Sequence, residues 1–199
     1  MGFPSLYGGL TCLDFANTVD GRALPEPEEH LHDYADLVRW AAYADLLDTE
    51  TAHHLALLAK ARPQAAAASY TAALRLREAT FRLCAAPPAA NDLALIQQGY
   101  AEAMSTATLT PAGTHYTWTL AGDHLDRAWW PAAVSAVELL TTDRLARVKV
   151  CASSGGCDGL FLDISKNGSR RWCDMGTCGV EAKISRQTAR RRAARRTTP

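Results

Sequence analysis

Cys151-Ala-Ser-Ser-Gly-Gly-Cys157 and Cys173-Asp-Met-Gly-Thr-Cys178 together contain four of the six cysteines of this 199-residue chain. Two close cysteine pairs separated by a span of 15 residues are typical of a tetrahedral site in which four thiolates bind one zinc ion. Two disulfides, or four unrelated buried thiols, are the alternatives. Zinc is favoured because the segment Met1–Leu6 lacks the pattern of a secretory signal, so a reducing, cytoplasmic environment is expected. Four thiolates would close the coordination shell, which makes the predicted zinc structural.

The residues between and after the cysteines carry a more specific pattern. The run Cys157-Asp-Gly-Leu-Phe-Leu-Asp163 and the run Arg170-Arg-Trp-Cys173 resemble the CGNR zinc finger, and the resemblance covers most of residues 148–190. The Cys-Gly-Asn-Arg that names this finger is here Cys178-Gly179-Val180-Glu181, and the loop 152–156 is one residue longer than is usual. The resemblance implies a zinc finger that closes a family of bacterial proteins regarded as stress-induced transcription regulators.

Residues 10–145 resemble the ABATE domain, the usual N-terminal partner of this finger. The similarity is carried by four short runs, which are LDFANTVD at 13–20, LVRWA at 37–41, LRLREA at 74–79 and WWPAA at 129–133. It implies an ABATE-like helical domain over residues 1–145, with a ligand pocket, and a zinc-finger module over residues 146–199.

Hydrophobic periodicity predicts a mainly α chain with one small β-hairpin in its N-terminal α+β domain, followed by the four-cysteine module. Residues 65–85 form the longest predicted helix, and Thr49 is the predicted N-cap of the helix before it. Between residues 108 and 120 the pattern alternates around a turn at 111–113, which predicts the hairpin. Residues 179–196 are predicted to form a basic helix that ends the module.

Charge is divided unevenly along the chain. Residues 1–150 carry 11 Lys and Arg against 17 Asp and Glu, whereas residues 151–199 carry 10 against 4. A basic arm on an acidic body predicts an anionic partner such as DNA, although a solvated tail, or one docked on its own body, would give the same pattern. The predicted nucleic-acid-binding residues are the basic side chains of the module, namely Arg170, Arg171, Lys183, Arg186, Arg190 and Arg191.

A second group of polar residues lies in apolar surroundings of the N-terminal domain. Asp14, Asn17 and Thr18 stand in a run apolar enough to be buried, so they form either a network of turns and caps or the wall of a pocket. Arg77 lies near the apolar face of its helix and needs a carboxylate, for which Asp14 is a candidate, or a small anionic ligand. Trp129 either packs in the core or lines the same cavity.

The resemblance implies a ligand-responsive regulator that binds DNA through its zinc finger and arginine-rich helix, and the uneven charge and the closed zinc site are compatible with it. Sequence-specific binding would need a homodimer or further contacts, because no residue is identifiable as a reader of base edges. The alternatives are an enzyme that uses the zinc only as a brace and a module that binds an acidic protein. The enzyme is the less favoured, because no nucleophile–base pair, phosphate loop or open metal site is recognisable. No segment has the roughly 20 apolar residues that a membrane helix needs.

Overall fold

The computed structural model describes residues 2–85, 89–153 and 155–196, with side chains as far as residue 188. Seven α-helices are present in this part of the chain: α1 (Thr11–Ala16), α2 (Tyr34–Tyr43), α3 (Thr49–Ala61), α4 (Pro63–Ala85), α5 (Asp92–Ser105), α6 (Trp130–Leu140) and α7 (Val180–Arg196). Six short strands form three antiparallel pairs: β1 (Val19–Asp20) with β2 (Glu28–Glu29), β3 (Ala107–Ala112) with β4 (His115–Leu120), and β5 (Val148–Val150) with β6 (Leu160–Leu162).

The short helix α1 lies in the core, packed between longer helices. Its Cys12, Leu13 and Phe15 have no exposed surface, and α4 and α6 pack on it from two sides. The helix α5 covers α4 and α6, and Pro131 stands in the first turn of α6, where its missing N–H breaks no helical hydrogen bond. The N-cap of α3 is Asp48 and not the predicted Thr49, because the Asp48 side chain accepts the hydrogen bond from Thr51 N at 2.7 Å.

The hairpin β3–β4 has an unbroken register from the pair Ala107–Leu120 to the pair Ala112–His115. The predicted turn at 111–113 is wrong, since Pro111 belongs to β3 and pairs with Tyr116. The chain turns at residues 113–114, where Gly113 has a φ of +64°. Two-residue hairpin turns need such positive φ values, which glycine adopts without strain.

The strand β6 joins the helical core to the cysteine cluster. Successive side chains of a strand point to opposite faces, and β6 uses both faces. Leu160 and Leu162 pack in the main helical core, whereas Phe161 packs against Cys151 and Cys173. One strand of the C-terminal module is therefore part of the core formed by the N-terminal helices.

The C-terminal module ends in a helix that starts beside the cysteines. A π-helical turn, Met175–Gly179, contains Cys178 and is capped by Asp174, which accepts a hydrogen bond from Thr177 N at 2.8 Å. The helix α7 follows directly. The predicted fold class is confirmed: the chain is mainly helical, with small antiparallel strand pairs and a C-terminal four-cysteine group.

Candidate metal centre

The four cysteines of the two predicted pairs meet at one point. Cys151 follows β5 and extends its ladder, donating its backbone N–H to Gly159 O at 2.9 Å. Ala152 N donates to Arg171 O at 2.9 Å, which brings the second pair beside the first. The four sulfur atoms of Cys151, Cys157, Cys173 and Cys178 lie within 4.8 Å of one another.

The spacing of the sulfur atoms fits a tetrahedral ion and not a disulfide. The Sγ atom of Cys173 lies 3.6 Å from that of Cys157 and 3.7 Å from that of Cys178. Zinc–sulfur bonds of about 2.3 Å at tetrahedral angles put neighbouring sulfurs roughly 3.8 Å apart, whereas a disulfide bond is about 2.05 Å long. This group of cysteines could hold one zinc ion.

The electrostatics of the cluster explain why a cation suits it. A hydrogen bond from the Cys173 thiol lowers the pKa of Cys157 to about 6, although burial opposes the shift. The same hydrogen bond raises the pKa of Cys173, and burial raises that of Cys178 to about 11. Cys157 thus ionises before Cys173 and Cys178, and a bound cation would favour the thiolate forms of these two. Four thiolates leave no open position for water, which is the arrangement of a structural site.

The metal centre is fastened to the N-terminal domain by hydrogen bonds to β6 and to the loop before it. Asn17 donates its Nδ2 to Leu160 O at 2.8 Å and accepts from Leu160 N at 2.7 Å, so its amide pairs with the strand as another backbone would. The Asp158 carboxylate accepts from Gly21 N at 3.1 Å and from Arg22 N at 2.8 Å.

Asp163 organises the inside of the module. It is fully buried, and its carboxylate accepts hydrogen bonds from Lys149 Nζ at 2.6 Å, Ser165 N at 2.9 Å and Ser165 Oγ at 2.6 Å. These bonds, that from Lys149 first, hold the pKa of Asp163 well below its usual range. This role was not predicted from the sequence. The Asp-x-Ser spacing at 163–165, typical of an Asx turn, is the signal that could have indicated it.

Arg170 departs from its predicted role in the positive surface. Its guanidinium lies 4.4 Å from the centre of the Phe161 ring and donates to the backbone carbonyls of Trp172, at 3.0 Å, and Cys173. Because the guanidinium bonds to carbonyl groups of the module itself, it has few donors left for a phosphate. The sequence could not distinguish this use, because an inward and an outward arginine look alike.

Other predicted basic residues do face outward. Arg171, Lys183 and Arg186 are exposed, and the guanidinium carbons of the two arginines lie 5.5 and 5.8 Å from the centre of the Trp172 ring. Arg190 and Arg191 belong to α7, but their side chains lie outside the described residues. We call Arg171, Lys183 and Arg186 the basic face of the module.

Negative charge lies beside the cysteine cluster, where residues 20–28 of the N-terminal domain meet the module. A cleft of about 390 Å³ opens beside Cys157, Cys173 and Cys178. The carboxylates lining it are those of Asp20, Glu26, Glu28 and Glu181. Glu181, which replaces the arginine of the Cys-Gly-Asn-Arg pattern, therefore contributes to an acidic cleft.

Arg77 has a protein partner, but not the predicted one. Its Nη1 and Nη2 atoms each lie 2.7 Å from a carboxylate oxygen of Glu29, and its Nε donates to Glu78 at 2.9 Å. Burial alone would lower the pKa of Arg77, but the hydrogen bonds and charge of Glu29 outweigh it and raise the pKa. The predicted partner, Asp14, instead accepts from Gly8 N at 2.7 Å.

The five predicted ligand-binding residues do not line one cavity. Thr18 is buried, donating to Phe15 O at 2.8 Å, and Asn17 bonds to β6. Asp14 borders a shallow groove beside α6, and Arg77 borders an open cleft beside α5. Of the five predicted residues, only Trp129 lines the cleft of about 480 Å³ between α4, α5 and the 3₁₀ turn Leu125–Ala128.

Trp129 is both a core residue and part of a cleft wall. It is 4% exposed, and its indole N–H is shared between Ser69 Oγ at 3.2 Å and Asp126 Oδ1 at 3.0 Å. Arg62, Arg75 and Gln98 also line this cleft. The carboxylates of Glu102, Asp123 and Asp126 line it as well. Among the described residues, the cleft therefore combines an aromatic wall with an amide and with groups of both charges.

Among the described residues, no helix combines the length and the apolar character required to cross a bilayer.

The geometry defines a class of protein: a helical domain whose core incorporates a C-terminal four-cysteine zinc finger. The ABATE family model, described as "Putative stress-induced transcription regulator", matches residues 9–143, and the CGNR zinc finger model matches residues 147–191. The chain belongs to the ABATE family and carries a CGNR zinc finger. No curated protein matches this chain.

Proposed function

We propose that this protein is a transcription regulator that binds DNA with the helix α7 and the basic face of its zinc finger. The observation that carries the proposal is the direct continuation from the cysteine Cys178 into α7, a helix with exposed Lys183 and Arg186. Its 17 residues span about 26 Å at roughly 1.5 Å per residue, which is long enough to follow several phosphates. In this proposal Cys151, Cys157, Cys173 and Cys178 bind one structural zinc ion that fixes the direction of the helix.

The charge distribution favours approach along the later turns of α7. Glu181 and the acidic cleft lie beside the beginning of the helix, where they would repel phosphates. Lys183, Arg186, Arg190 and Arg191 follow along the helix, and Arg171 adds charge from the preceding loop. Phosphate contacts of this kind give dissociation constants of about 10⁻⁴–10⁻⁶ M at physiological salt without sequence preference.

The proposal is tested by measuring duplex DNA binding as a function of salt. Replacing both Lys183 and Arg186 by Ala should reduce the slope of log K against log salt by about 2, because each phosphate contact contributes about 0.9. The matched control, Lys60→Ala, removes an exposed charge from α3 and should leave the slope unchanged. Absence of binding by the wild type at about 50 mM salt, where phosphate contacts are strong, would refute the proposal.

We propose that ligand responsiveness resides in the cleft beside Trp129. Arg62 and Arg75 line this cleft together with the carboxylates of Glu102, Asp123 and Asp126. Neither arginine makes a side-chain ion pair with any residue in the described part of the chain, so their guanidinium groups are available to the carboxylate of a small ligand. A thermal-shift series with small carboxylates should stabilise the wild type and not Arg75→Ala. If both respond equally, or neither does, the ligand part of the proposal fails.

A second candidate function, binding of a protein partner, is favoured by apolar side chains on the module. Met175, Val180 and Ile184 are 62, 45 and 57% exposed, and the last two stand one helical turn apart. Exposed apolar groups close together are common at protein-binding surfaces. Ile184→Glu distinguishes the two functions, because it should abolish partner binding while weakening DNA binding only slightly.

A further inference from the structure

The hairpin β3–β4 stands out because it is paired with little besides itself. Among the described elements, β3 and β4 pack extensively only against each other, and Leu120 at the base of the hairpin reaches the main core. An isolated two-stranded hairpin is marginally stable in water. Among the described residues, most of the hairpin is therefore free to pack against another strand or surface.

One face of the hairpin is apolar and exposed. In the register, Leu109 pairs with Trp118 and Pro111 with Tyr116, so these four side chains share one face. Leu109, Tyr116 and Trp118 are 56, 69 and 51% exposed. The opposite face carries threonines, of which Thr110 and Thr119 hydrogen-bond at 2.7 Å.

The two edges of the hairpin differ in how they are protected. Proteins usually guard sheet edges with charge, proline or a bulge. The edge of β3 contains Pro111, which cannot donate a backbone hydrogen bond. The strand β4 has no proline and no bulge in its six paired residues. The whole hairpin, from Ala107 to Leu120, contains no Asp, Glu, Lys or Arg. The edge of β4 is thus open to pairing.

We infer that the edge of β4 pairs with β4 of a second copy of this chain to form an antiparallel four-stranded sheet. An uncharged edge suits an identical partner, because two copies of a charged strand would repel each other. Antiparallel pairing of identical strands is also compatible with a two-fold axis. With Thr117 opposite its own copy on that axis, Tyr116 of each chain faces Trp118 of the other on one face of the sheet.

The size of this contact indicates a dimer that dissociates on dilution. Tyr116 and Trp118 together expose on the order of 200 Å² per copy, because a fully buried aromatic residue accounts for about 150–250 Å². A stable interface buries roughly 800 Å² per partner, so aromatic packing supplies part of it and the backbone ladder adds more. The inference is independent of DNA binding.

Sedimentation of the full chain from micromolar to submillimolar concentration tests the inference. The wild type should shift from monomer to dimer, and Thr117→Lys should weaken dimerisation by about tenfold, because it places like charges opposite each other on the axis. Thr108→Lys is the matched control, since it adds the same charge to the same face of β3 at the protected edge. A monomeric wild type, or equal effects of the two lysines, would overturn the inference.

A cross-linking experiment tests the register without relying on charge. Directly opposed residues of an antiparallel pair have Cα atoms about 4.5–5.5 Å apart, which allows a disulfide. Thr117→Cys should give a covalent dimer on brief oxidation and Thr108→Cys should not. The reverse result, or equal cross-linking of the two variants, would overturn the proposed pairing.

Discussion

Asn17 shows how much one side chain contributes to joining two parts of this molecule. Its amide matches the donor and acceptor of Leu160, which lies 143 residues further along the chain. Both partners are buried, so neither can exchange these hydrogen bonds for water. The Asn17 amide therefore makes the pair of hydrogen bonds with Leu160 that a neighbouring strand would otherwise make.

We predict that Asn17→Ala lowers the free energy of unfolding by about 2–4 kcal/mol, because it leaves two buried backbone groups of Leu160 without partners. Denaturant unfolding of the zinc-loaded protein measures the change. The control Asn167→Ala removes an exposed amide from the module and should change stability by less than about 0.5 kcal/mol. If the two substitutions lower the free energy of unfolding equally, the hydrogen bonds of Asn17 to Leu160 do not contribute specifically to stability.

Asp14 gives a pH-dependent prediction. Burial raises its pKa to about 6, against the opposing hydrogen bond from Gly8 N. The folded chain therefore binds this proton more tightly than the unfolded chain, in which the pKa is about 3.9. Stability from this group is greatest below about pH 4 and is lost as the pH rises through about 6.

We predict that Asp14→Asn removes this loss and makes the protein about 1–2 kcal/mol more stable than the wild type near neutral pH, a value reduced for partial exposure. Unfolding measured with saturating zinc at several pH values between about 5 and 7.5 tests it. Glu138→Gln, in the same groove, is the control. An unchanged pH dependence in Asp14→Asn would contradict the assignment.

At the scale of elements, the packing of α5 on its neighbours depends on the absence of a side chain at Gly99. A Cβ atom there would lie 2.8 Å from Trp129 Cζ3, 3.2 Å from Leu76 Cδ1 and 3.3 Å from Ala133 Cβ. Helix propensity favours alanine over glycine by about 1 kcal/mol, whereas overpacking costs about 1–3 kcal/mol. The two effects oppose each other at this position.

We predict that overpacking prevails, so that Gly99→Ala lowers the melting temperature and the free energy of unfolding falls by about 1–2 kcal/mol. Gln97→Ala, an exposed change on the same helix, should be neutral or slightly stabilising. A more stable Gly99→Ala protein would show that α5 can shift away from Trp129.

The elements themselves could largely be predicted, and so could the four sulfur ligands, because both follow from local spacing. The partner of Arg77 could not, since Glu29 lies 48 residues away in the short strand β2 and only the packed structure brings it near. The hairpin was predictable, but its turn was not, because Pro111 is tolerated at an edge strand as well as in a turn. The role of Arg170 depends on the direction of one side chain, which no sequence pattern encodes.

At the scale of the whole molecule, the zinc finger and the helical domain share a core. Leu160 and Leu162 of β6 pack with the helices, and Phe161 packs with the cysteines. The matched families divide the chain near residue 145, but the hydrophobic contacts do not follow that division. Loss of the metal should therefore affect both parts.

We predict that chelation of zinc increases amide hydrogen exchange in residues 11–20 as well as in residues 148–180. Thiolate sites contribute about 10–16 kcal/mol of metal-binding free energy to their folded state, and β6 transmits its loss to α1 through Asn17. Exchange mass spectrometry with and without chelator measures this, and Cys173→Ser should reproduce it. An increase confined to the C-terminal module would show that the shared core survives without the metal.

The two-sided burial of β6 also limits how the chain can be divided in the laboratory. A fragment ending at residue 145 would lack Leu160 and Leu162, leaving an apolar hollow in the helical body with an unpaired amide from Asn17 at its wall. A fragment beginning at residue 146 would carry the same two leucines into water. Shortened versions should therefore precipitate or unfold unless the cut pieces are supplied together, so that each covers the exposed surface of the other.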